Sequence, residues 1–253
     1  MKHSEYSQII KLAKRSLEEY QNWGEDEIYK EPAVKMPSEK KSAEAVKENG
    51  FTVKKSGPSQ ELEALKKETD KCRKCPLGAS RLNCVFGAGS ASAELIFVGE
   101  GPGFDEDHKG EPFIGRAGQL LTKIIEAMGY TRETVYIANI VKCHPMKDPS
   151  DPELRGNDRP PALEEMEICR QYLDRQLEII QPKIIVTLGA SSTRGLLKSE
   201  ESISTIRGTV KEYNGIKLMP TYHPAALLRN PNLKKFVWDD MKKVMKFLKT
   251  GEI

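Results

Sequence analysis

The sequence lacks long hydrophobic runs, and none of its apolar stretches approaches the roughly 18 residues that cross a membrane. Its first residues, Met1 to Glu5, also lack the apolar core of a secretory signal peptide. We therefore expect a soluble, cytoplasmic protein with no membrane partner. Because thiols stay reduced in that compartment, the five cysteines are expected to be metal ligands or buried thiols rather than disulfides.

Hydrophobic residues are also scarce, at 38% of the chain, whereas 30% of the residues are charged. This composition suits a compact core with a polar appendage. Apolar residues at helical spacing predict an amphipathic helical extension within residues 1–28, and the polar composition of residues 29–59 predicts a flexible linker. The core domain is then expected over residues 60–253. A formal net charge of +3 is compatible with a phosphate-binding face but does not locate one.

From residue 60 onward, short apolar strands alternate with amphipathic helices. Strands are predicted at 95–98, 135–141 and 184–188, a hairpin (210–213 and 216–219) around Asn214-Gly215, and helices at 60–71, 117–128, 161–180, 191–197 and 233–249. This alternation is typical of an α/β fold whose parallel sheet is covered on both faces. Ligands bind such sheets at the carboxyl ends of the strands, where the sequence places a glycine-rich loop, Asn139, Gly189 and His223.

The cysteines have the spacing of a metal-ligand set. Cys72 and Cys75 form a C-x-x-C pair, Cys143 follows a predicted strand, and Cys169 lies on the next predicted helix. Four thiolates suit either tetrahedral zinc or an iron–sulfur cluster, and the spacing alone does not choose between them. The alternative is a group of small buried hydrophobic residues. Cys84 has no partner at ligand spacing.

The glycine-rich loop Gly99-Glu100-Gly101-Pro102-Gly103 lacks two nucleotide-binding signatures. Its glycines do not follow the G-x-G-x-x-G order, and no Gly-Lys-Ser/Thr follows them. The acidic side chains nearby would also repel a pyrophosphate. The loop therefore indicates either an ordinary turn or a place where backbone N–H groups approach a small or flat ligand.

Four segments, in chain order, resemble the iron–sulfur uracil-DNA glycosylases of family 4. They are Gly99-Glu100-Gly101-Pro102-Gly103, Glu111-Pro112-Phe113-Ile114-Gly115-Arg116-Ala117-Gly118, Asn139-Ile140-Val141-Lys142-Cys143 and His223-Pro224-Ala225-Ala226-Leu227. The resemblance implies a three-layer α/β/α fold with a central four-stranded parallel sheet. It also implies a 4Fe–4S cluster held by Cys72, Cys75, Cys143 and Cys169, and hydrolysis of the bond between uracil and deoxyribose in DNA.

The resemblance also assigns the residues that recognise uracil. A glycosylase cannot reach a base inside the stack, so uracil must be flipped into a pocket. There Phe113 would stack on the base, Asn139 would read its Watson–Crick edge, and Glu106 would fill the space beside C5 and exclude thymine. Without the resemblance, Phe113 is typical of a core residue, Asn139 of a strand-end cap, and Glu106 of a solvated carboxylate.

For catalysis, the resemblance implies that His223 faces uracil O2, where negative charge grows as the glycosidic bond breaks. The backbone N–H groups of residues 100 and 101 would assist. Other uracil glycosylases carry a carboxylate in this loop, and Gly101 stands at that position here. The catalytic candidates are thus His223, Asn139 and Glu100 (the nearest carboxylate), and Gly99 and Gly101 complete the pocket.

DNA contacts are expected from two further segments. Leu227, Leu228 and Arg229 are predicted on an exposed loop that would enter the duplex as a wedge. Ser191, at a predicted helix start, suits either a phosphate contact or a helix cap. The remaining histidines, His3, His108 and His144, are expected at the surface, although His144, beside Cys143, could instead support the metal ligands.

Two other functions stay open. One is a cysteine–metal module that binds DNA without catalysis. The other is a relative that becomes covalently trapped on the abasic product; that relative carries a basic insertion, whereas the insertion here, 148–159, is acidic. This insertion lengthens the Cys143–Cys169 interval by about ten residues relative to the family. The protein is expected to act as a monomer on single- or double-stranded DNA, with residues 1–28 available to a protein partner.

Overall fold

The computed structural model describes residues 57–252. The predicted extension over 1–28 lies outside the described residues, as does the predicted linker up to residue 56. Both stay predictions, and so does a protein partner of the extension.

Within residues 57–252 the chain forms nine α-helices and six strands. The helices are α1 (Pro58–Asp70), α2 (Leu77–Ser80), α3 (Phe104–Lys109), α4 (Arg116–Ala127), α5 (Leu163–Ile180), α6 (Ala190–Leu197), α7 (Ile203–Ile206), α8 (Pro224–Arg229) and α9 (Lys234–Thr250). The strands are β1 (Ala88–Gly89), β2 (Leu95–Gly99), β3 (Tyr136–Asn139), β4 (Ile184–Leu188), β5 (Lys211–Tyr213) and β6 (Ile216–Thr221). A short 3-10 helix, Pro231–Leu233, joins α8 to α9.

The strands form one sheet in the order β1-β3-β2-β4-β6-β5. Strands β3, β2, β4 and β6 pair in parallel, which confirms the predicted central four-stranded parallel sheet. The antiparallel strands β1 and β5 extend the two edges. Strand β1 was not predicted, because its two residues carry no periodic pattern.

Helices cover both faces of the sheet. Strands β2, β3 and β4 are buried along their whole length, so their side chains must be covered on both sides. Along β2, Ile96 and Val98 belong to a core with α1 and α5, whereas Leu95 and Phe97 belong to a second core with α4 and α9. The predicted three-layer α/β/α architecture is confirmed.

The parallel strands bring their carboxyl ends together at one edge. Gly99 at the end of β2 is paired with Asn139 at the end of β3. Leu188 at the end of β4 is paired with Thr221 at the end of β6, and the N–H of Gly189 donates to the carbonyl of Thr221 at 2.8 Å. The loops that follow these four strands therefore start side by side.

The acidic stretch after the glycine-rich loop is helical, which the sequence analysis did not predict. It forms α3, with Asp105, Glu106 and Asp107 in the first turn. Negative side chains are favourable there because the N-terminal end of a helix carries partial positive charge. Helix formation, rather than repulsion of phosphate, accounts for the acidic composition of this segment.

The insertion between Cys143 and α5 folds back on itself at the surface. Met146 and Asp158 pair as an isolated antiparallel bridge. The side chain of Asn157 donates to the carbonyls of Asp148 and Asp151, at 2.7 and 2.9 Å. The extra residues thus form a compact loop before α5, and Glu153 and Arg155 of this loop pair with His108 and Asp105 of α3. Within residues 57–252, no helix combines the length and the apolar composition that a membrane span requires.

Candidate active site

Residues from four separate segments surround one gap at the carboxyl edge of the sheet. A Cβ atom on Gly99 would lie 2.3 Å from Oδ1 of Asn139 and 2.5 Å from Cζ of Phe113. The ring centroids of Phe113 and His223 lie 5.7 Å apart. The structure therefore brings together Gly99, Phe113, Asn139 and His223, and the absence of a side chain on Gly99 allows Asn139 and Phe113 to lie this close to the end of β2.

The side chain of Asn139 presents an unpaired acceptor to this gap. Asn139 is only 1% exposed, and among the described residues its Oδ1 has no hydrogen-bond partner. A buried polar atom without a partner costs about 1–3 kcal/mol. A bound molecule with an N–H group at this position would remove that cost.

The imidazole of His223 is held in one tautomer. His223 caps α8, and its Nδ1 accepts the backbone N–H of Ala225 at 3.1 Å. In the neutral ring the proton must then lie on Nε2, which becomes a donor. Burial, and secondarily the positive charge of Arg229, lower the pKa of His223 to about 4. The side chain is therefore a neutral hydrogen-bond donor near pH 7.

Glu100 lies between the sheet and α6. Burial raises the pKa of its carboxyl group, while a hydrogen bond from Ser191 lowers it. The hydroxyl of Ser191 therefore already has a partner within the protein. Its role as a phosphate contact stays a prediction.

Gly101 has no room for a side chain. A Cβ atom there would lie 2.6 Å from Cγ2 of Val141, a branched methyl group in the core. Packing against the turn after β3 therefore explains why no carboxylate stands at this position.

The side chain of Glu106 connects two loops through hydrogen bonds, so the interpretation of Glu106 as a solvated carboxylate is wrong. Its Oε1 accepts the backbone N–H groups of Ile114 and Gly115, both at 3.0 Å, and its Oε2 accepts the N–H of Gly103 at 3.2 Å. The side chain thus ties the glycine-rich loop to the segment that carries Phe113.

Comparison with known proteins places this fold and pocket in a family. The family model of the uracil DNA glycosylase superfamily matches residues 86–242. The type-4 uracil-DNA glycosylase of Sulfurisphaera tokodaii is 46% identical over 72% of this chain and 83% of that protein. The type-4 uracil-DNA glycosylase of Saccharolobus solfataricus is 43% identical over 76% of this chain and 88% of that protein. The type-4 uracil-DNA glycosylase of Thermotoga maritima is 41% identical over 74% of this chain and 95% of that protein.

The chain belongs to the type-4 uracil-DNA glycosylase family. The match includes all four segments that first indicated the resemblance, and it contains the whole parallel sheet. The pocket described above is therefore the pocket of a family member. The individual roles of its side chains are inferred below from their contacts.

The four predicted ligand cysteines of this family member line a single cavity. Cys72, Cys75, Cys143 and Cys169 all contribute, and none of them forms a disulfide. Although the insertion lengthens the interval before Cys169, the structure brings that residue to the cavity. Among residues 57–252, however, no three potential ligands lie as close together as a single metal ion requires. The cavity is a candidate cofactor site rather than a preformed site for one ion.

Two cations border the cysteine cavity. Nη1 of Arg81 donates to Sγ of Cys143 at 2.9 Å, and the backbone N–H of Lys142 donates to Sγ of Cys169 at 3.3 Å. Hydrogen bonds to sulfur and nearby positive charge stabilise electron-rich thiolates. The donor set and its surroundings therefore fit an anionic iron–sulfur cluster.

The prediction of an exposed wedge loop is wrong for Leu227. The segment is the helix α8, and Leu227 is only 2% exposed because it packs in the core with α4 and α9. Leu228 is 42% exposed, and Arg229 is exposed beside it. Of the two leucines, only Leu228 is free to contact another molecule.

Lys142 and His144 are both buried, although no role was assigned to Lys142 from the sequence and the surface was the expected place for His144. Lys142 is fully buried, and its Nζ donates to the carbonyl of Asn139 and to Oε1 of Gln176, both at 2.7 Å. A charged residue within an apolar segment was the available signal. His144, expected at the surface, is buried and hydrogen-bonded to Asp158 at 2.8 Å. Lys142 thus links the cysteine cavity to the strand end that carries Asn139.

Proposed function

We propose that this protein flips uracil out of DNA and hydrolyses the bond between uracil and deoxyribose, leaving an abasic site. The observation that carries the proposal is the unpaired Oδ1 of Asn139, buried beside an aromatic ring and a neutral imidazole. The type-4 uracil-DNA glycosylase relatives support the same substrate.

Recognition of uracil rests on hydrogen-bond complementarity. Oδ1 of Asn139 would accept from uracil N3–H, and the amide would donate to O4. Cytosine presents a bare acceptor and a donor at these positions, so both contacts would be mismatched. Each mispaired buried group costs about 1–3 kcal/mol, and two of them reject cytosine by orders of magnitude. Phe113 supplies the stacking face, since base–aromatic stacking is worth about 1–3 kcal/mol.

The bond is broken by stabilising the departing base. The electron pair of the glycosidic bond leaves with uracil, and negative charge builds on O2. Nε2–H of His223 and the backbone N–H groups of residues 100 and 101 would donate to that oxygen, which is oxyanion-type stabilisation. A water molecule then adds to the sugar carbon, and its proton passes through solvent to the uracil anion, which leaves as neutral uracil. Glu100 is the nearest carboxylate that could orient this water.

Glu106 shapes the side of the pocket proposed to face C5. Its two oxygens hold three backbone N–H groups in place, so the surrounding loops cannot withdraw without breaking charged hydrogen bonds. A rigid wall at this side would exclude the methyl group of thymine.

The duplex is opened by Leu228 rather than by Leu227. An exposed apolar side chain next to a cationic one suits insertion where the base has left, while Arg229 approaches a phosphate. Both residues follow His223 on α8, so insertion and catalysis occur on the same short helix.

Cys72, Cys75, Cys143 and Cys169 would hold a 4Fe–4S cluster. The cluster would supply structural order to the segments around α1, α5 and the turn after β3, without electron transfer. Iron and acid-labile sulfide analysis of protein purified without air tests this assignment. About four irons and four sulfides per chain are expected, whereas one zinc ion per chain would contradict it.

A labelled oligonucleotide with a single uracil tests the function. Alkali should cleave the strand after treatment with the protein, and Asn139→Ala and His223→Ala should each lower the single-turnover rate by about 10²–10³, the usual cost of losing one such donor. Asn232→Ala and His108→Ala are matched controls outside the pocket and should cut at the parental rate. Parental rates for the two pocket variants would contradict the site assignment.

The same reaction separates the two rival functions. A non-catalytic DNA-binding module would shift the oligonucleotide in a native gel but leave no alkali-labile site. A relative trapped on the abasic product would give a protein–DNA band that survives denaturing electrophoresis.

A further inference from the structure

Phe113 has a strained backbone. Its φ is +53°, in the left-handed region, which costs a non-glycine residue about 1–3 kcal/mol. The other non-glycine residues with positive φ in the described part of the chain have ordinary reasons for it. Gln181 and Lys198 end helices, and Asn214 lies in the hairpin turn between β5 and β6. Phe113 ends no helix and lies in no hairpin, so other contacts must hold its conformation.

Arg132, from the loop between α4 and β3, forms hydrogen bonds to this strained segment. Its Nη1 donates to the carbonyl of Phe113 at 3.0 Å, and its Nη2 donates to the carbonyl of Pro112 at 2.7 Å. The planar guanidinium therefore holds two successive carbonyls at once, which fixes the orientation of the peptide between them. Glu111 pairs with the same guanidinium, with its Oε1 at 3.2 Å from Nη2.

Two further features complete this brace. The backbone N–H groups that follow Phe113 are held by Glu106, as described above. On the opposite side, a Cβ atom on Gly118 would lie 1.9 Å from the carbonyl carbon of Phe113, so only glycine permits the close approach of α4. Arg132 supplies the part of the brace that binds the carbonyl of Phe113 itself.

We propose that Arg132 is a positioning residue that holds Phe113 in its left-handed conformation and thereby places the aromatic ring against the extruded base. The proposal rests on the proposed function for its catalytic consequence, but its structural part is independent of it. When the hydrogen bonds of Arg132 are lost, Phe113 relaxes toward negative φ, and its ring leaves the position 5.7 Å from His223.

A double-mutant cycle on uracil excision tests the catalytic consequence. Arg132→Met should lower the single-turnover rate about ten- to thirtyfold, and Arg132→Lys, which retains one donor group, should lower it less. Because Arg132 acts through the phenyl ring, Arg132→Met combined with Phe113→Ala should be no slower than Phe113→Ala alone. Multiplicative losses in the double variant would overturn the proposal, since they would indicate a general structural role.

Two control variants test whether the loss of rate comes from the hydrogen bonds of Arg132 to the two carbonyls. One removes only the ion pair of Arg132, and the other removes an ion pair elsewhere on the surface. Glu111→Gln removes the ion pair of Arg132 but leaves both carbonyl contacts, and it should excise uracil at the parental rate. Arg175→Met removes an exposed ion pair with Glu68 that is remote in sequence from the brace, and it should also be neutral. A loss in Glu111→Gln equal to that in Arg132→Met would contradict a role through the carbonyls.

Fluorine NMR tests the structural part without any reaction. With 4-fluorophenylalanine in place of Phe113, the parent should give one sharp resonance, and Arg132→Met should shift or broaden it. An unchanged resonance would overturn the proposal. If the parent released no uracil, the proposed function would fail, but this spectrum would still decide whether Arg132 holds the ring.

Discussion

The protonation state of His223 gives the sharpest test of the proposed chemistry. Burial, and secondarily the charge of Arg229, lower its pKa to about 4. At pH 6 about 1% of such a group is protonated, compared with about three quarters of a histidine with the ordinary value near 6.5. We therefore expect the contribution of His223 to the rate of uracil release to be flat between pH 5 and 8.

The lowered pKa of His223 also makes the stability of the folded protein depend on pH. The folded state binds a proton at His223 less readily than the unfolded state, so the neutral side chain favours folding. This contribution is fully present above about pH 6.5 and is lost as the pH falls toward 4. A shift from 6.5 to about 4 corresponds to about 3 kcal/mol at most, because His223 is partly exposed. The parent should therefore lose more stability than His223→Gln between pH 6.5 and 4.

Nitrogen NMR of labelled imidazole measures both properties directly. The spectrum should give a neutral ring with its proton on Nε2 at pH 6, and the titration midpoint should lie near 4. Arg229→Gln should raise that midpoint, since a nearby positive charge is removed. A midpoint between 6 and 7, or a proton on Nδ1, would refute the assignment of His223 as a neutral donor.

Three substitutions test other parts of the pocket. Gly99→Ala should abolish measurable uracil release, because its Cβ would lie 2.3 Å from Oδ1 of Asn139 and would displace that side chain. Parental activity would contradict the gap as the uracil site. Glu106→Gln should lower the free energy of unfolding in urea by about 1.5–3 kcal/mol, since one charged hydrogen bond to the backbone is lost; an unchanged midpoint would contradict its role in connecting the two loops. Gly101→Asp should lower the melting temperature, because Val141 occupies the space that a side chain at position 101 needs. Adding Val141→Ala to the same chain should recover part of the lost melting temperature. Equal melting temperatures for the single and double variants would contradict this steric account.

The sequence predicted the elements that form the pocket because their positions follow from strand order. Asn139 ends a buried apolar strand, and His223 comes shortly after another, so a parallel sheet must bring both to the same edge. The helices and strands that were predicted end within two residues of their predicted bounds, whereas α3 and α8 were not predicted as helices. Periodicity and the parallel arrangement were sufficient for this part of the architecture.

Contacts between side chain and backbone were not predictable in this way. No pattern around Glu106 indicates that its Oε1 accepts the N–H groups of Ile114 and Gly115, and no pattern around Arg132 indicates that its guanidinium binds two carbonyls. The wrong prediction for Leu227 has a similar origin. In a six-residue helix, which leucine faces the core depends on how α8 rests on α4 and α9, and the local sequence does not specify that orientation.

The glycine-rich loop is better understood as a packing requirement than as a ligand-binding signature. Added Cβ atoms would collide with Asn139 at Gly99, with Val141 at Gly101 and, at 3.1 Å, with Glu106 at Gly103. Each glycine thus makes room for a different neighbour, and these neighbours belong to two other segments of the pocket. A loop selected to cradle phosphate would need its glycines for backbone approach to the ligand, whereas here all three allow the approach of protein side chains. This explains how a loop without nucleotide-binding order can still lie at the centre of the site.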